Sequence, residues 1–146
     1  MKTKEIMTRE PVTLAPEATA AEAATLMKQE DCGSLPVVEG GVLVGIVTDR
    51  DIVVRGIAAG KDPRTLRIAE IMSADPVTIS PDTDVDEAAA VMAERQVRRL
   101  PVVEDGRLVG LLVIAQVARR EDEAQTGETL KEISEPRSGR GSHARG

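Results

Sequence analysis

The sequence contains an internal duplication, and this feature most strongly limits how the chain can fold. When the sequence is shifted by 65 residues, Ile6–Ile52 lies on Ile71–Val117 without a gap. The shared stretches occur in the same order in both copies: Ile-Met, Pro-Val-Thr, Glu-Ala-Ala, Leu-Pro-Val-Val-Glu and Leu-Val-Gly. Because an internal repeat is one supersecondary unit used twice, we expect both halves to have the same fold.

Each copy has the pattern of a strand, a helix, two strands and a second helix. The first helix is predicted by the capping-box spacing of Thr19 with Glu22, and of Asp84 with Glu87 in the second copy. Apolar residues at helical spacing predict a core-facing stripe on each first helix: Ala20, Ala23, Ala24 and Met27, repeated by Val85, Ala88, Ala89 and Met92.

A β-hairpin and a closing helix are predicted next in each copy. In the first copy the strands are Leu35–Val38 and Val42–Val47, joined through two glycines, and the helix spans Asp49–Ala59 before Gly60. The closing helix of the second copy is predicted at Ile114–Glu123. Residues 64–71, between the copies, are expected to contain a short helical segment.

These elements predict an α/β (α+β) protein built from two tandem repeats. We assign residues 7–64 to the first repeat and residues 72–123 to the second. Because a unit of this size has a marginal core alone, we expect the two repeats to pack sheet to sheet with pseudo-two-fold symmetry. Residues 124–146 are rich in polar residues and are predicted to form a disordered tail.

Composition excludes several classes of function. The chain has no Phe, Tyr or Trp and a formal charge of −6, which argues against stacking on nucleic-acid bases and against a basic nucleic-acid surface. One cysteine, Cys32, and one histidine, His143, cannot form a disulfide, a zinc site or a nucleophile–histidine pair. We therefore expect no catalytic residues, no metal, no membrane segment and a cytoplasmic location.

The stretch Gly45–Ile52 is the candidate functional site. It predicts a strand that ends at Thr48 and passes directly into a helix carrying Asp51. Backbone N–H groups at a helix start, with a hydroxyl and a carboxylate beside them, suit a nucleotide. The same two residues are also spaced as a capping pair, which would stabilise a helix start without any ligand.

The repeated motifs Ile-Met, Pro-Val-Thr, Leu-Pro-Val-Val and Gly-Ile/Leu closely resemble a tandem pair of CBS (cystathionine-beta-synthase-type) domains, also called a Bateman module. The resemblance covers roughly residues 4–122. It implies binding of an adenosyl ligand, such as AMP, ADP, ATP or S-adenosylmethionine, in clefts between the repeats. It implies neither an obligatory cofactor nor cystathionine synthase activity.

The family's ligand motif, Gly-h-h-Thr/Ser-x-x-Asp (h, hydrophobic), is matched in full at Gly45–Asp51. The resemblance assigns roles in the cleft to seven residues: Asp51 to ribose, Thr48 to phosphate, Ile46, Val77 and Val97 to adenine, and Arg98 and Arg99 to phosphates. For the two arginines, the alternative is a solvated helix end, where cations are favourable.

The second copy departs from the motif, because Val113 and Gln116 replace the threonine and the aspartate. The matching cleft, which the resemblance lines with Val12, Cys32 and Gly33, is therefore expected to be empty or structural. One competent site per chain follows. Because the second helix forms without this threonine and aspartate, the substitution also favours ligand binding over simple capping in the first copy.

Three functions are weighed. The leading one is a non-catalytic sensor that forms a homodimer and signals to a separate effector protein through an adenosyl ligand. The second is an interaction scaffold with a vestigial nucleotide site, favoured by the degenerate second motif. The third, metal-dependent ATP hydrolysis with Asp49 or Asp51 as base, lacks a histidine, cysteine pair or metal cluster to support it.

Overall fold

The computed structural model describes residues 1–124, with side chains described up to residue 120. All but the first residue of the predicted tail at 124–146 therefore lies outside the described residues. In chain order, the strands and α-helices are β1 (Thr8–Arg9), α1 (Ala20–Glu30), β2 (Ser34–Glu39), β3 (Val42–Thr48), α2 (Val85–Arg95), β4 (Arg99–Glu104), β5 (Arg107–Val113) and α3 (Ile114–Ala124). Two 3₁₀ turns, Thr3–Glu5 and Ile68–Glu70, and one π-helix, Asp51–Ile57, complete the description.

The mixed α/β class predicted from the duplication is confirmed. The predicted helical segment between the copies is the 3₁₀ turn Ile68–Glu70. A matching turn, Thr3–Glu5, precedes the first copy at the same 65-residue spacing, so the duplication extends upstream of Ile6.

The starts of α1 and α2 are capped differently. The Glu22 N–H donates to Thr19 Oγ1, and the Thr19 N–H donates to the Glu22 carboxylate, both at 3.1 Å. The hydrogen bond from the Thr19 N–H lowers the pKa of Glu22 below its usual value. The capping box predicted for α2 is wrong, because Asp84 accepts from the Asp86 N–H at 2.9 Å instead. That hydrogen bond lowers the pKa of Asp84.

The described chain forms two compact units that do not coincide with the two sequence repeats. The first-repeat unit contains Pro11–Val77 and Val103–Leu108. The second-repeat unit contains Met1–Glu10, Thr78–Val102 and the described chain from Val109 onward. The segment before each repeat, together with the first residues of that repeat up to Glu10 or Val77, therefore belongs to the unit built on the other repeat.

In the first-repeat unit, β2 and β3 pair antiparallel from Ser34 opposite Thr48 to Glu39 opposite Val42. The register shifts between Val37 and Val38. The predicted extended piece before α1 contributes one parallel bridge, from Leu14 to Val37. Leu66, Ile68 and Ile71, from the segment between the copies, share the unit's core with Leu14, Ala20, Ala23, Met27, Leu35, Val37, Val47 and Ile52.

The second-repeat unit is built the same way. β4 pairs with β5, and Ile79 bridges Val102 as Leu14 bridges Val37 in the other unit. The N-terminal strand β1 pairs antiparallel with β5, Thr8 lying opposite Leu111. The buried apolar residues of this unit are Met7, Ile79, Val85, Ala88, Met92, Leu100, Val102, Leu111, Leu112 and Val117.

The predicted stripes on the first helices need one correction. Ala20, Ala23 and Met27 are buried, but Ala24 is exposed and its counterpart Ala89 is only half-buried. The buried face is centred on Ala23 and Met27, so the alanine at the third stripe position, Ala24 or Ala89, lies at its edge.

A close backbone approach explains the glycine of the repeated Leu-Val-Gly stretch. A Cβ atom added at Gly45 would lie 2.7 Å from Met72 Sδ and 2.8 Å from the Ser73 carbonyl oxygen. At Gly110 the same atom would lie 2.5 Å from Met7 Sδ and 2.9 Å from the Thr8 carbonyl oxygen. Only glycine leaves room for the backbone that packs here, which is Met72–Ser73 at Gly45 and Met7–Thr8 at Gly110.

We predict that Gly45→Ala and Gly110→Ala each lower the free energy of unfolding by about 1–3 kcal/mol. The methionine side chain can move aside, but the backbone carbonyl cannot do so without loss of strand pairing. Urea denaturation measures the effect. Val42→Ala, at a position of β3 that is 40% exposed, is the control and should change stability by less than about 0.5 kcal/mol. Two alanine variants as stable as the unchanged protein would refute the close approach.

Candidate functional site

The end of β3 and the turn that follows it hold the predicted Thr48 and Asp51 together. The Thr48 N–H donates to Asp51 Oδ2 at 2.9 Å, and the Asp51 N–H donates to Thr48 Oγ1 at 3.0 Å. The capping pair that the sequence allowed is therefore formed. Because the Asp51 side chain is only 12% exposed, this pairing also fixes the direction of its carboxylate.

The second carboxylate oxygen of Asp51 faces Arg55, a residue that the sequence reasoning missed. Arg55 Nε lies 3.8 Å from Asp51 Oδ1, and Arg55 Nη1 donates to the Ile71 carbonyl oxygen at 3.2 Å. The arginine thus joins the helix start to the segment between the copies. The i,i+4 spacing of an aspartate and an arginine was a signal that could have identified the pair.

The predicted closing helix Asp49–Ala59 is shorter and differently wound than expected. Residues 49 and 50 are helical, and Asp51–Ile57 is a π-helix, with a hydrogen bond from the Ala58 N–H to the Val53 carbonyl at 2.8 Å. π-Helical turns are rare and occur frequently at functional sites. The helix ends at Ile57, before the predicted end at Ala59, and Gly60, with a φ of +79°, lies in the turn that follows.

The corresponding turn of the second copy is also capped. Gln116 Oε1 accepts the Val113 N–H at 2.9 Å, as Asp51 accepts the Thr48 N–H. Gln116 Nε2 donates to Thr8 Oγ1 at 2.8 Å. The argument that the second helix needs no such cap is therefore wrong, since a glutamine amide replaces the carboxylate. The contrast that remains between the copies is chemical: a charged acceptor and a hydroxyl in one, a neutral amide and a methyl group in the other.

Two further predicted residues lie in the same unit as Thr48 and Asp51. Ile46 is half-buried and exchanges two backbone hydrogen bonds with Ser73, at 3.0 and 2.8 Å. Val77 is half-buried and is the last residue of the range Pro11–Val77, which belongs to the first-repeat unit. The first-repeat unit therefore contains four of the seven predicted ligand-binding residues.

The other three lie in the second-repeat unit. Val97 and Arg98 are exposed, and the Arg98 carbonyl accepts the Ile114 N–H at 2.8 Å. Arg99 is half-buried, and its Nε is a buried side-chain nitrogen without a hydrogen-bond partner in the described part of the chain. The helix-end interpretation of the two arginines is wrong, because α2 ends at Arg95 and Arg99 begins β4. A buried guanidinium N–H without an acceptor is unfavourable unless an anion or water meets it.

The residues predicted to line the second cleft are reported individually. Val12 is exposed, Cys32 is half-buried and Gly33 is buried. All three belong to the first-repeat unit, where the Gly33 carbonyl accepts the Asp49 N–H at 2.9 Å.

Within residues 1–120, whose side chains the structure describes, no group of three or more histidine, cysteine, aspartate and glutamate side chains could hold a metal ion. No helix in the same range is long and apolar enough to span a membrane.

The fold consists of two related units, each with a strand-to-helix turn, and one of the two turns carries a hydroxyl and a carboxylate. The family model for the CBS domain matches residues 4–56 and 68–122. The chain therefore belongs to the CBS domain family, as a tandem pair.

Known proteins resemble the chain over most of its length. The "CBS domain-containing protein YhcV" of Bacillus subtilis is 41% identical over 132 residues, which are 90% of this chain and 94% of the relative. The crystal structure of CBSX2 in complex with AMP has a TM-score of 0.75 and 25% identity, covering 86% of this chain and 98% of that one. The CBS domain pair of protein MJ0100, in complex with 5-methylthioadenosine and S-adenosyl-L-methionine, has a TM-score of 0.74 and 30% identity, with the same coverage of both chains.

We predict that Asp51→Ala and Gln116→Ala each destabilise the fold by about 0.5–2 kcal/mol, because each leaves a backbone N–H at a helix start without its acceptor. Chemical denaturation measures both. Thr25→Ala, which removes one exposed side-chain hydrogen bond on α1, serves as the control and should have a smaller effect. If Gln116→Ala were neutral while Asp51→Ala destabilised the fold, the equivalence of the two caps would be refuted.

Proposed function

We propose that this chain is a non-catalytic sensor that binds one adenosyl ligand, such as AMP, ADP, ATP or S-adenosylmethionine, at the turn formed by Thr48 and Asp51. The observation that carries the proposal is the fixed, partly buried carboxylate of Asp51 beside the Thr48 hydroxyl. Support comes from two structural relatives whose crystals contain AMP, or methylthioadenosine and S-adenosylmethionine.

The hydrogen-bonding capacity of the turn suits a nucleoside phosphate. Asp51 uses Oδ2 for the cap, which leaves Oδ1 to accept a hydrogen bond from a ribose hydroxyl. Thr48 Oγ1 accepts the Asp51 N–H, so its own proton remains for a phosphate oxygen. Both groups can therefore serve ligand and fold at once, and the cap does not compete with the proposed function.

The apolar and cationic parts of the proposed site are supplied by the remaining residues. The family resemblance assigns the adenine contacts to Ile46, Val77 and Val97, and the chain has no aromatic ring to stack on a base. It assigns Arg98 and Arg99 to the phosphates. The buried Arg99 Nε supports this role, because a phosphate oxygen is the kind of acceptor that a guanidinium N–H needs.

The second turn does not bind a nucleotide in this proposal. Gln116 uses both ends of its amide, one for the Val113 N–H and one for Thr8 Oγ1. Val113 offers no hydroxyl. One adenosyl ligand per chain follows.

The ultraviolet spectrum of the purified protein tests ligand binding directly. Without Phe, Tyr or Trp the chain contributes almost nothing near 260 nm, so any peak there reports bound nucleotide. We predict a peak that survives desalting, or saturable binding of AMP, ADP, ATP or S-adenosylmethionine in calorimetry. Asp51→Gln should abolish both, because it keeps a cap acceptor as Gln116 does but removes the charge that attracts the ribose hydroxyl.

The control for this test is Asp49→Asn, which changes a neighbouring carboxylate whose Oδ1 accepts the Arg50 N–H. It should bind like the unchanged protein. If none of the four ligands bound to well-folded protein, the sensor proposal would be refuted in favour of the interaction scaffold. Release of phosphate from ATP in the presence of Mg²⁺, lost in Asp49→Asn, would instead show a hydrolase.

We further infer that the sensor forms a homodimer through the apolar face defined by Val53, Val54 and Ile57. These side chains are 56%, 45% and 52% exposed, and they lie together on the π-helix. Contiguous exposed apolar residues of this kind mark interaction sites. The matching positions of the second copy carry Ala118, Arg119 and Asp122.

This difference between the copies favours a symmetric pairing. An apolar face on one copy does not complement charged residues at the matching positions of the other, so the face pairs best with its own equivalent on a second chain. That is the isologous arrangement of a two-fold dimer.

We predict that the double variant Val54→Arg/Ile57→Asp, which transplants the second-copy residues, shifts the protein from dimer to monomer. Analytical ultracentrifugation measures the mass. Val42→Glu, at an exposed apolar position of β3, should leave the dimer unchanged. A monomeric unchanged protein, or a double variant that still dimerises, would contradict the proposed face.

A further inference from the structure

The two units tie the preceding segment to the start of the closing helix in different ways. In the second-repeat unit the tie is direct and neutral, from Gln116 Nε2 to Thr8 Oγ1 at 2.8 Å. In the first-repeat unit it runs through a charged side chain, because Arg55 contacts Asp51 Oδ1 and donates to the Ile71 carbonyl. Gln116 and Asp51 occupy matching positions of the two copies, so the difference arises at one position of the repeat.

The charged tie uses the atom that the proposed ligand needs. Asp51 Oδ2 is held by the Thr48 N–H, so Oδ1 is the oxygen that both Arg55 and a ribose hydroxyl would approach. The contact with Arg55 is long, at 3.8 Å, and the arginine side chain is 54% exposed. Exposed ion pairs of this kind contribute little to stability, which makes this one easy to displace.

We propose that Arg55 is a positioning residue that couples adenosyl binding at Asp51 to the connecting segment Ile68–Ser73. The inference rests on the proposed function. A ribose hydroxyl that donates to Oδ1 competes with the guanidinium for that oxygen, so Arg55 is held less firmly and the hydrogen bond from Nη1 to the Ile71 carbonyl weakens. Ligand binding thereby loosens one attachment of the connecting segment.

The loosened segment is well placed to carry a change along the chain. Ile71 is 2% exposed in the core, and the next residues, Met72 and Ser73, make the close contact with Gly45. The chain then enters its other compact unit at Thr78. The direct tie of Gln116 to Thr8 contains no carboxylate that a ribose hydroxyl would engage.

Thermodynamic reciprocity predicts the direction in which loss of Arg55 should change the affinity for the ligand. If the ligand weakens the tie, then removal of the tie must strengthen ligand binding by the same factor. We expect Arg55→Met to bind adenosine and AMP about two- to fivefold more tightly than the unchanged protein, the range implied by an exposed ion pair. Isothermal titration calorimetry gives the dissociation constants.

The matched control is Arg50→Met, which removes the same charge from an exposed position near the same turn. Loss of a nearby cation alone weakens binding of the anionic AMP and leaves adenosine unaffected. The two effects on AMP are therefore opposite in sign, and the neutral nucleoside reports the coupling without the electrostatic effect. Circular dichroism of both variants checks that they are folded.

Hydrogen exchange supplies the second readout. In the unchanged protein, saturating AMP should speed exchange of the peptide covering residues 68–73, and in Arg55→Met this response should disappear. Equal or weaker binding by Arg55→Met, or an unchanged exchange response, would overturn the coupling while leaving the sensor intact. Failure of the unchanged protein to bind either adenosine or AMP would overturn the sensor proposal, and the coupling with it.

Discussion

The backbone contact between each hairpin and the segment that precedes the other repeat is the constraint on which the rest of the structure depends. Ile46 and Ser73 exchange two hydrogen bonds, and Thr8 pairs with Leu111 in the same way across the second copy. Each contact needs a glycine, Gly45 or Gly110, because a side chain would collide with the incoming backbone. Neither repeat therefore forms a complete unit from its own consecutive residues.

The same contact determines where the candidate site lies. Because the incoming segment packs against the end of β3, the Ile71 carbonyl comes within reach of Arg55, and Arg55 within reach of Asp51. Asp51, which is proposed to bind the ligand, is thus also part of the contacts that hold the incoming segment against the unit. In the proposed coupling, a ligand at Asp51 would act through the contact of Asp51 with Arg55 and the hydrogen bond of Arg55 to the Ile71 carbonyl.

The duplication made most of the fold predictable, because each element is indicated by the same sequence pattern in two independent copies. Helix α1, both hairpins and the Thr19 cap followed from it. The π-helix did not, since its apolar spacing over a single turn is indistinguishable from that of an α-helix. The cap by Gln116 was missed because residue types were compared rather than hydrogen-bonding capacity: a glutamine amide carries an acceptor as a carboxylate does. The alternative cap by Asp86 reflects the short aspartate side chain, which reaches the nearer N–H.

Comparison of the two copies separates the residues that fold the chain from those that distinguish its two halves. The positions of closest backbone approach are identical, Gly45 with Gly110 and Met72 with Met7. The positions that differ surround the turn, Thr48 against Val113 and Asp51 against Gln116, and continue along the closing helix. A change confined to these positions leaves the fold intact, since Gln116 retains both the cap and the tie to the preceding segment. The two copies therefore share the cap and differ in the charge of the side chain that provides it.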